Sequence, residues 1–420
     1  MGMYENIIAI LKSELVPALG CTEPIAIALA SAKAREVLGA RPDEMQVACS
    51  SNIIKNAKSV VVPMTKNLKG IEAAALAGMT GGDAGRSLEV LTTVTEEDLA
   101  ETKRLLAEGF CKTVLLDSSE KLHLIVRMKK GEDSSLVELV KTHTGITRIE
   151  KNGKTVYQKQ IEDGETQSAD YSVLNVASIL DFADHVDLEL VRPILEPQIE
   201  CNTKIAREGL KHKYGVNVGS VLLDVYGDDV KIRAKAMPAA GSDARMNGCE
   251  LPVIINSGSG NQGMTVSLPV IEFGNMLDAG EEKILRALCI SNLMAIYQKS
   301  EIGRLSAYCG AVSAAAGAGA GITYLYGGRE EQISQTIVNT LANVSGIVCD
   351  GAKSSCAAKI ASAVDAAIVA TMISLKGKCF LSGDGIVKDT IQKTIDGVVT
   401  LAKEGMKETD EVIVKIMLEK

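Results

Sequence analysis

The sequence predicts an α+β fold, in which a mainly helical domain formed by both chain ends is interrupted by a smaller α+β domain with a mostly antiparallel sheet. Apolar residues recur with helical spacing near the N-terminus and over the last third of the chain. Between these regions the apolar pattern alternates with period two, and Asn152-Gly153 is a strong short hairpin signal. We therefore predict a helical domain of residues 1–43 and 166–420 and an inserted domain of residues 44–165.

Helices are predicted first over residues 3–15 and 24–38. Thr22 suits the N-cap of the second helix, and Pro24 suits its first turn, where backbone N–H groups have no partner to lose. In the inserted domain, strands are predicted at "MQVACSS", "KLHLIVRMKK" and "SLVELVKTHT", a hairpin at "RIEKNGKTVYQK", and a helix over residues 96–108.

Helix returns over residues 175–214, and residues 218–238 are predicted to be extended in places, with a turn at Gly227. A glycine-rich stretch follows, after which the chain is predicted to be helical almost to its end. The expected helices cover residues 281–299, 301–326, 329–344, 354–376, 385–404 and 407–419.

Composition narrows the class of protein. The chain of 420 residues carries a formal charge of −8, which argues against a nucleic-acid surface. Its ten cysteines, with an N-terminus that resembles an amphipathic helix and not a signal peptide, indicate a reducing cytoplasm and thiols used for metal or catalysis. The uncharged stretch 305–328 is rich in Ala, Gly and Ser, which favours a buried helix over a membrane span.

Cys21, in "GCTEP", is predicted to lie just before a helix N-terminus. The helix dipole lowers the pKa of a thiol placed there. As a thiolate, Cys21 could act as a nucleophile, a metal ligand or a general base. A small buried residue would fit the same position equally well.

Two further stretches are rich in polar groups. In "NSGSGNQG", residues 256–263, three glycines alternate with Ser, Asn and Gln, so that backbone N–H groups can approach a carboxylate or a phosphate. A flexible loop would have the same composition. The stretch "SSNIIKN" adds Asn52, Lys55 and Asn56 as weaker candidates for polar anchors.

Three cysteines form the last candidate site. Cys349 is predicted in a loop, Cys356 in the first turn of the next helix, and Cys309 in an Ala/Gly-rich helix with room beside it for a bulky group. Their spacing matches neither zinc-finger nor ferredoxin patterns, and buried core cysteines are the plain alternative. The four histidines show no ligand spacing.

Taken together, these stretches resemble the L-cysteine desulfidases, iron–sulfur relatives of bacterial L-serine dehydratases. The resemblance runs nearly the whole length and rests on "GCTEPIAIALA", "SSNIIKNAKSVVVP", "NSGSGNQGMTVSLPV", "CGAVSAAAGAG" and "GIVCDGAKSSCAAK". Serine dehydratases have histidine in the place of Cys21, so this departure favours the desulfidase branch.

The resemblance implies a [4Fe–4S] cluster held by Cys309, Cys349 and Cys356, with one iron open to act as a Lewis acid on the leaving group. It implies that Cys21 removes the α-proton in a β-elimination of L-cysteine to pyruvate, ammonia and sulfide. We expect an oxygen-sensitive cytoplasmic carbon–sulfur lyase, a homodimer that binds neither nucleic acid nor membranes. The expected substrate-binding residues are Glu23, Asn52, Lys55, Asn56, Ser257, Gly258, Asn261, Gln262 and Gly263.

Other readings remain open at this point. A pyridoxal-phosphate eliminase would use Lys235 for its Schiff base, and "GSGNQG" resembles a loop of such enzymes. An L-serine dehydratase could use the same cluster, and a non-catalytic cluster protein could be a redox sensor or a carrier. A fourth ligand, Cys289 or Cys379, would close the open iron.

Overall fold

A computed structural model of the chain describes residues 2–20, 22–118, 120–159, 169–303 and 306–418. Its helices are α1 (Met3–Glu14), α2 (Thr22–Leu38), α3 (Ser51–Ala57), α4 (Ile71–Gly81), α5 (Glu96–Ala107), α6 (Val176–His185), α7 (Leu188–Lys211), α8 (Val218–Tyr226), α9 (Val230–Met246), α10 (Gly260–Met276), α11 (Gly280–Ile302), α12 (Gly310–Leu325), α13 (Glu330–Asn343), α14 (Cys356–Ser374), α15 (Ile391–Thr400) and α16 (Lys407–Leu418). Its strands are β1 (Pro17–Leu19), β2 (Glu44–Cys49), β3 (Cys111–Leu115), β4 (His123–Lys130), β5 (Asp133–Val140), β6 (Ile146–Lys151), β7 (Lys154–Gln158) and β8 (Pro252–Ile254).

Six strands form one mixed sheet in the order β3-β2-β4-β5-β6-β7. Only the β2–β3 pair is parallel among the described strands of this sheet; the other pairs are antiparallel. Asn152 and Gly153, between β6 and β7, have φ of 51° and 72°, the left-handed values that a tight hairpin turn requires. The predicted hairpin and the mostly antiparallel sheet are therefore confirmed.

One face of this sheet packs against α2 and α4. Val47, Val126 and Val137 are fully buried on it, and the Ser135 hydroxyl donates a hydrogen bond to the Ala34 carbonyl at 2.8 Å. The predicted boundary at residue 43 groups α2 with the helical domain, whereas its apolar residues belong to the core of the sheet. The wider division into two domains stays a prediction.

Small residues bring the helices of the other part into close contact. Every residue of α12 after its first is buried, and a Cβ on Gly317 would lie 2.4 Å from the Ser291 carbonyl of α11. Such contacts explain how a chain with four Phe and no Trp fills its core. Within the described chain, α14 alone has the length and apolar composition of a membrane span, and 56% of that window is buried inside the fold, as in core helices of water-soluble proteins.

The extended structure predicted for residues 218–238 is wrong. Helices α8 and α9 occupy this region, and Gly227 separates them with a φ of 82°. The valines of α8 are β-branched and also occur often in strands, and tertiary packing decides the conformation of such short apolar runs. Asp229 caps α9 by accepting a hydrogen bond from the Lys231 N–H at 2.8 Å.

Two predicted helices begin later than expected. The helix predicted from residue 301 starts only at Gly310, because α11 ends at Gly303, where φ is 90°. Cys309 is therefore the N-cap residue of α12 and does not lie inside it. The helix predicted from residue 385 starts at Ile391, after the N-cap Thr390.

Candidate active site

A two-stranded antiparallel pairing of β1 with β8 brings two distant candidate stretches together. Pro17 pairs with Ile254, and the Ile255 N–H donates to the Val16 carbonyl at 3.0 Å. In this register residues 256–263 follow the end of β8 that lies beside Val16, and α2 begins beyond the other end of β1; the first residues of α2, Thr22 and Glu23, nevertheless line one cavity with residues of 256–263. Cys21, the predicted general base, lies between β1 and α2 but outside the described residues.

The stretch 256–263 is a tight turn followed by a helix, and not the loop that its glycines suggest. Asn256 and Ser259 exchange two backbone hydrogen bonds, of 3.1 and 3.0 Å, around Ser257 and Gly258, which have φ of 50° and 81°. Ser259 then caps α10 by accepting from the Gln262 N–H at 3.4 Å. The first backbone N–H groups of α10, which have no partner within the helix, therefore lie at this turn.

The glycines of this stretch allow close packing. A Cβ on Gly263 would lie 2.0 Å from the Ile254 carbonyl, and a Cβ on Gly260 would lie 2.6 Å from the Arg245 Nε. The same holds for Gly310, whose Cβ would lie 2.4 Å from the Gln262 amide carbon. Gly263 therefore seats α10 on β8 and does not line the cavity described below.

Backbone pairing holds two of the three candidate cysteines side by side. The Cys309 N–H donates to the Ile347 carbonyl at 2.9 Å, and the Cys349 N–H donates to the Ala307 carbonyl at 2.7 Å. Cys356 is the first residue of α14, and its thiol lies 3.6 Å from the Gly351 carbonyl, to which it donates. Segments far apart in sequence thus present their thiols to one place.

These thiols line a cavity of about 110 Å³ between the sheet-bearing part and the helical part. The residues that line it are Thr22, Glu23, Asn56, Arg245, Gly258, Ser259, Asn261, Gln262, Lys299, Ser306, Tyr308, Cys309, Gly310, Ala311, Cys349, Gly351, Ala352, Cys356 and Ile360. A cavity of this size, with apolar walls and a few convergent polar groups, suits a small metabolite.

The pKa values of the two paired thiols, Cys309 and Cys349, are shifted in opposite directions. Cys349 accepts a hydrogen bond from Cys309, which lowers its pKa, and the nearby charges of Lys55 and Lys299 lower it further. The same hydrogen bond raises the pKa of Cys309. Burial raises the pKa of Cys356 and lowers that of the Lys299 ammonium to about 8. At neutral pH one thiolate is therefore favoured in this group.

The donor set fits an iron–sulfur cluster better than a single metal ion. Among the described residues, no three His, Cys, Asp or Glu side chains converge closely enough to hold one ion. A cluster takes its thiolates on separate irons, so that its donors need not converge on one point. Neither Cys289 nor Cys379 lines the cavity, and Cys289 is fully buried inside α11.

Of the predicted substrate-binding residues, five line the cavity: Glu23, Asn56, Gly258, Asn261 and Gln262. The Glu23 carboxylate accepts a hydrogen bond from the Asn56 side-chain amide at 3.2 Å, which fixes its position. The His143 ring lies 4.0 Å from the same carboxylate oxygen. The turn after β5, which carries His143, therefore approaches the site.

Four predicted substrate-binding residues are absent from the lining: Asn52, Lys55, Ser257 and Gly263. Lys55 is buried, pairs with Asp410, and lies 3.5 Å from the Ser306 carbonyl. The Ser257 hydroxyl donates to the side chain of Asn256 at 2.9 Å. For Lys55 and Ser257, helix and turn geometry direct the side chains to these partners.

Sequence reasoning missed three residues of the lining: Arg245, Lys299 and Tyr308. Arg245 and Lys299 are buried near the ends of α9 and α11, and the hydroxyl of the buried Tyr308 has no hydrogen-bond partner among the described residues. Two charges, Asp243 and Arg245, within the small-residue run "AAGSDARMNG" are the signal that could have found Arg245.

The pyridoxal-phosphate alternative loses the lysine on which it rests. Lys235 forms an ion pair with Asp365 at 2.7 Å, between α9 and α14, and does not line the cavity. A Schiff-base lysine must face the substrate site. Lys235 is therefore a structural residue here.

The chain is similar to known proteins over nearly its whole length. A family model of the serine dehydratase alpha chain matches residues 85–415. A UPF0597 protein of Lachnoclostridium phytofermentans is 84% identical over 416 residues, which cover 99% of this chain and 100% of that protein. UPF0597 proteins of Desulfitobacterium hafniense and Treponema denticola are 53% and 50% identical over 99% of this chain and 97% and 98% of their own lengths.

The chain belongs to the serine dehydratase alpha-chain family. This is a family of iron–sulfur-dependent lyases, so the resemblance found in the sequence is confirmed at that level. The matched residues of the serine dehydratase model include Arg245, the turn 256–263 and all three candidate cluster cysteines. The desulfidase branch stays a prediction, since Cys21 precedes the matched region.

Proposed function

We propose that the protein is an L-cysteine desulfidase, which converts L-cysteine to pyruvate, ammonia and sulfide. The observation that carries this proposal is the meeting of Cys309, Cys349 and Cys356 with the amide-bearing start of α10 and the Glu23 carboxylate in one small cavity. Membership of an iron–sulfur-dependent lyase family supports an elimination reaction. The expected compartment, the cytoplasm, and the homodimeric state stay predictions.

The cluster ligands proposed are the three cysteines of the cavity. When bound there, a [4Fe–4S] cluster with one open iron would supply a Lewis acid for the leaving thiolate. The paired backbone of Cys309 and Cys349 holds these two donors rigidly, and Tyr308 and Ile360 provide buried, largely apolar walls that keep bulk water away.

Cys21 is the proposed base for the α-proton. Its neighbours in the sequence, Thr22 and Glu23, line the cavity, which supports this role. The positive end of α2 favours the thiolate form. Asn261 and Gln262, in the first turn of α10, orient the substrate by hydrogen bonds.

The reaction balances without a redox step. The Cys21 thiolate takes the α-proton. The electron pair of the broken Cα–H bond forms the Cα–Cβ double bond, and the Cβ–S bond breaks to release sulfide. The aminoacrylate then tautomerises to an imine, which water hydrolyses to pyruvate and ammonia. No electron acceptor is needed, and water is the co-reactant.

L-Serine dehydration is the second candidate, and the match to the serine dehydratase model favours it. The chemistry differs only in the leaving group, and a soft thiolate suits iron better than a hydroxyl. Protein purified without oxygen should be assayed for pyruvate from each amino acid and for sulfide from L-cysteine. We expect a higher kcat/KM for L-cysteine, with equal amounts of sulfide and pyruvate.

The cofactor class is tested in the same preparation. We expect a broad iron–sulfur absorbance that shifts on addition of L-cysteine and bleaches in air. Pyruvate from L-serine alone would make the protein a serine dehydratase. Absence of turnover with both amino acids in protein that holds its cluster would leave a sensor or a carrier, and would refute the proposal.

A further inference from the structure

Few charged side chains line the cavity. Apart from the cysteines, the described lining residues with full charges are Glu23, Arg245 and Lys299. Glu23 is held by Asn56, and Arg245 is held by Asn261. Lys299 belongs to the thiol end, because Cys349 and Cys309 are the charges that act most strongly on it. One carboxylate, of Glu23, and one guanidinium, of Arg245, thus remain as charged groups for a ligand.

Arg245 lacks a counter-ion in the described part of the chain. Its side chain is 4% exposed, and no described carboxylate lies within ion-pair distance of it. Its Nη1 donates to the Asn261 side-chain oxygen at 3.2 Å, while its Nε has no acceptor among the described residues. A buried cation without an anion is costly, so a guanidinium that lines a cavity is completed by an anionic ligand.

We propose that Arg245 binds the α-carboxylate of the substrate and that Glu23 binds its α-ammonium group. This deepens the proposed function and rests on it for the identity of the thiol substrate. The inference assigns the cavity to free, zwitterionic amino acids, because each charged end of the ligand meets the opposite charge. The planar guanidinium is suited to a carboxylate in a way that a lysine ammonium is not.

The arrangement also sets the direction of the bound amino acid. With its charged ends at Arg245 and Glu23, its side chain is left to the other lining residues, which include the thiols of Cys309, Cys349 and Cys356. The leaving group thereby faces the thiols. Peptides and amides of the same amino acid are excluded, because each lacks either the free carboxylate or the free ammonium group.

Two analogues that do not undergo the reaction separate the two ends. 3-Mercaptopropionate keeps the thiol and the carboxylate, and cysteamine keeps the thiol and the ammonium group. Their dissociation constants would be measured by calorimetry on cluster-loaded protein without oxygen, for the wild type, Arg245→Gln and Glu23→Gln. The matched control is Arg233→Gln, on the same helix, where Arg233 pairs with Glu272 at 3.0 Å outside the cavity.

We expect Arg245→Gln to weaken 3-mercaptopropionate by about tenfold to a hundredfold and to leave cysteamine within about twofold. Glu23→Gln should give the reverse, and Arg233→Gln should change neither. Arg245→Lys keeps the positive charge but not the planar guanidinium, so it should recover part of the lost affinity for 3-mercaptopropionate. It replaces Arg245→Gln in the test if that variant does not fold.

Equal weakening of both analogues by Arg245→Gln would overturn the proposal, because Arg245 would then act on the structure alone. Loss of 3-mercaptopropionate binding in Lys299→Gln, with Arg245→Gln unaffected, would also overturn it and place the carboxylate at the thiol end. These constants require no turnover. A protein that binds both analogues as expected but releases no sulfide would refute the desulfidase and support the charge assignment.

Discussion

The ammonium group of Lys55 forms an ion pair with the carboxylate of Asp410, which lies 355 residues further along the chain. The pair joins α3, beside the sheet, to α16 near the C-terminus. The Lys55 side chain is 1% exposed and that of Asp410 is 17% exposed. Lys58 adds a second link, since its ammonium donates to the Met417 carbonyl. The C-terminal helix is thereby fastened over the helix that carries Asn56.

Removing one member of this pair should destabilise the protein. Asp410→Asn leaves the Lys55 charge buried without its partner, and we expect the free energy of unfolding to fall by about 3 kcal/mol. The double variant Lys55→Met and Asp410→Asn removes both charges and should lie within about 1 kcal/mol of the wild type. Urea unfolding measures both. Equal destabilisation by the single and double variants would mean that the charges do not interact.

Lys55 also illustrates what the sequence could not supply. A lysine in "SSNIIKN" can be recognised as a polar anchor, but its partner is set by the packing of α16, which no local pattern encodes. Arg245 was missed for a related reason, because its importance arises from the cavity beside it and not from its neighbours in sequence. Tertiary contacts, rather than local propensity, decide such positions.

Local signals succeeded where the chemistry itself is local. Asn152-Gly153 predicted its hairpin because left-handed φ values favour these residue types. The three cysteines formed a candidate site in the sequence, and the family resemblance implied that they hold a cluster. The structure brings them to one cavity, although Cys309 is the N-cap of a helix that was predicted to enclose it. The prediction of extended structure for residues 218–238 was wrong. The valines of α8 do not decide between helix and strand, because β-branched residues occur in both.

Loss of a cluster ligand should reduce the iron content. Cys309→Ser, Cys349→Ser and Cys356→Ser each remove a thiolate from the cavity, so we expect iron and acid-labile sulfide per chain to fall to less than about half of the wild-type values after anaerobic reconstitution. The matched control is Cys379→Ser, which leaves the cavity lining unchanged. Iron loss in Cys379→Ser as large as in Cys356→Ser would show that the ligand set is incorrect.

The stability of the protein should depend on pH through Asp243. Burial raises the pKa of its carboxyl group from 3.8 to about 6, although the Gly219 and Val218 N–H groups oppose this. Because the folded pKa is above the unfolded one, the native state binds more protons between these values, and its stability falls as pH rises from about 4 to about 6. Above about pH 6 the buried carboxyl group of Asp243 is ionised, and the full cost of burying its charge lowers the free energy of unfolding.

Asp243→Asn should remove this penalty. We expect the variant to exceed the wild type by up to about 3 kcal/mol at about pH 8 and by little at about pH 4, as measured by urea unfolding. Asp43→Asn provides the opposite control, because a hydrogen bond from Lys130 lowers the pKa of Asp43. That variant should be less stable than the wild type at neutral pH, with the difference closing as pH falls. A pH-independent effect of Asp243→Asn would contradict the assignment.

Gly263→Ala should disturb the fold and the site together. The added Cβ would lie 2.0 Å from the Ile254 carbonyl, so α10 must move away from β8. We expect a loss of about 3 kcal/mol in the free energy of unfolding and a raised KM, since Asn261 and Gln262 would move with the helix. Gly397→Ala is the matched control, because its Cβ would have 3.8 Å to the nearest atom and a helix favours alanine. If Gly263→Ala matched Gly397→Ala in stability and KM, the contact between β8 and α10 would not be what positions the site.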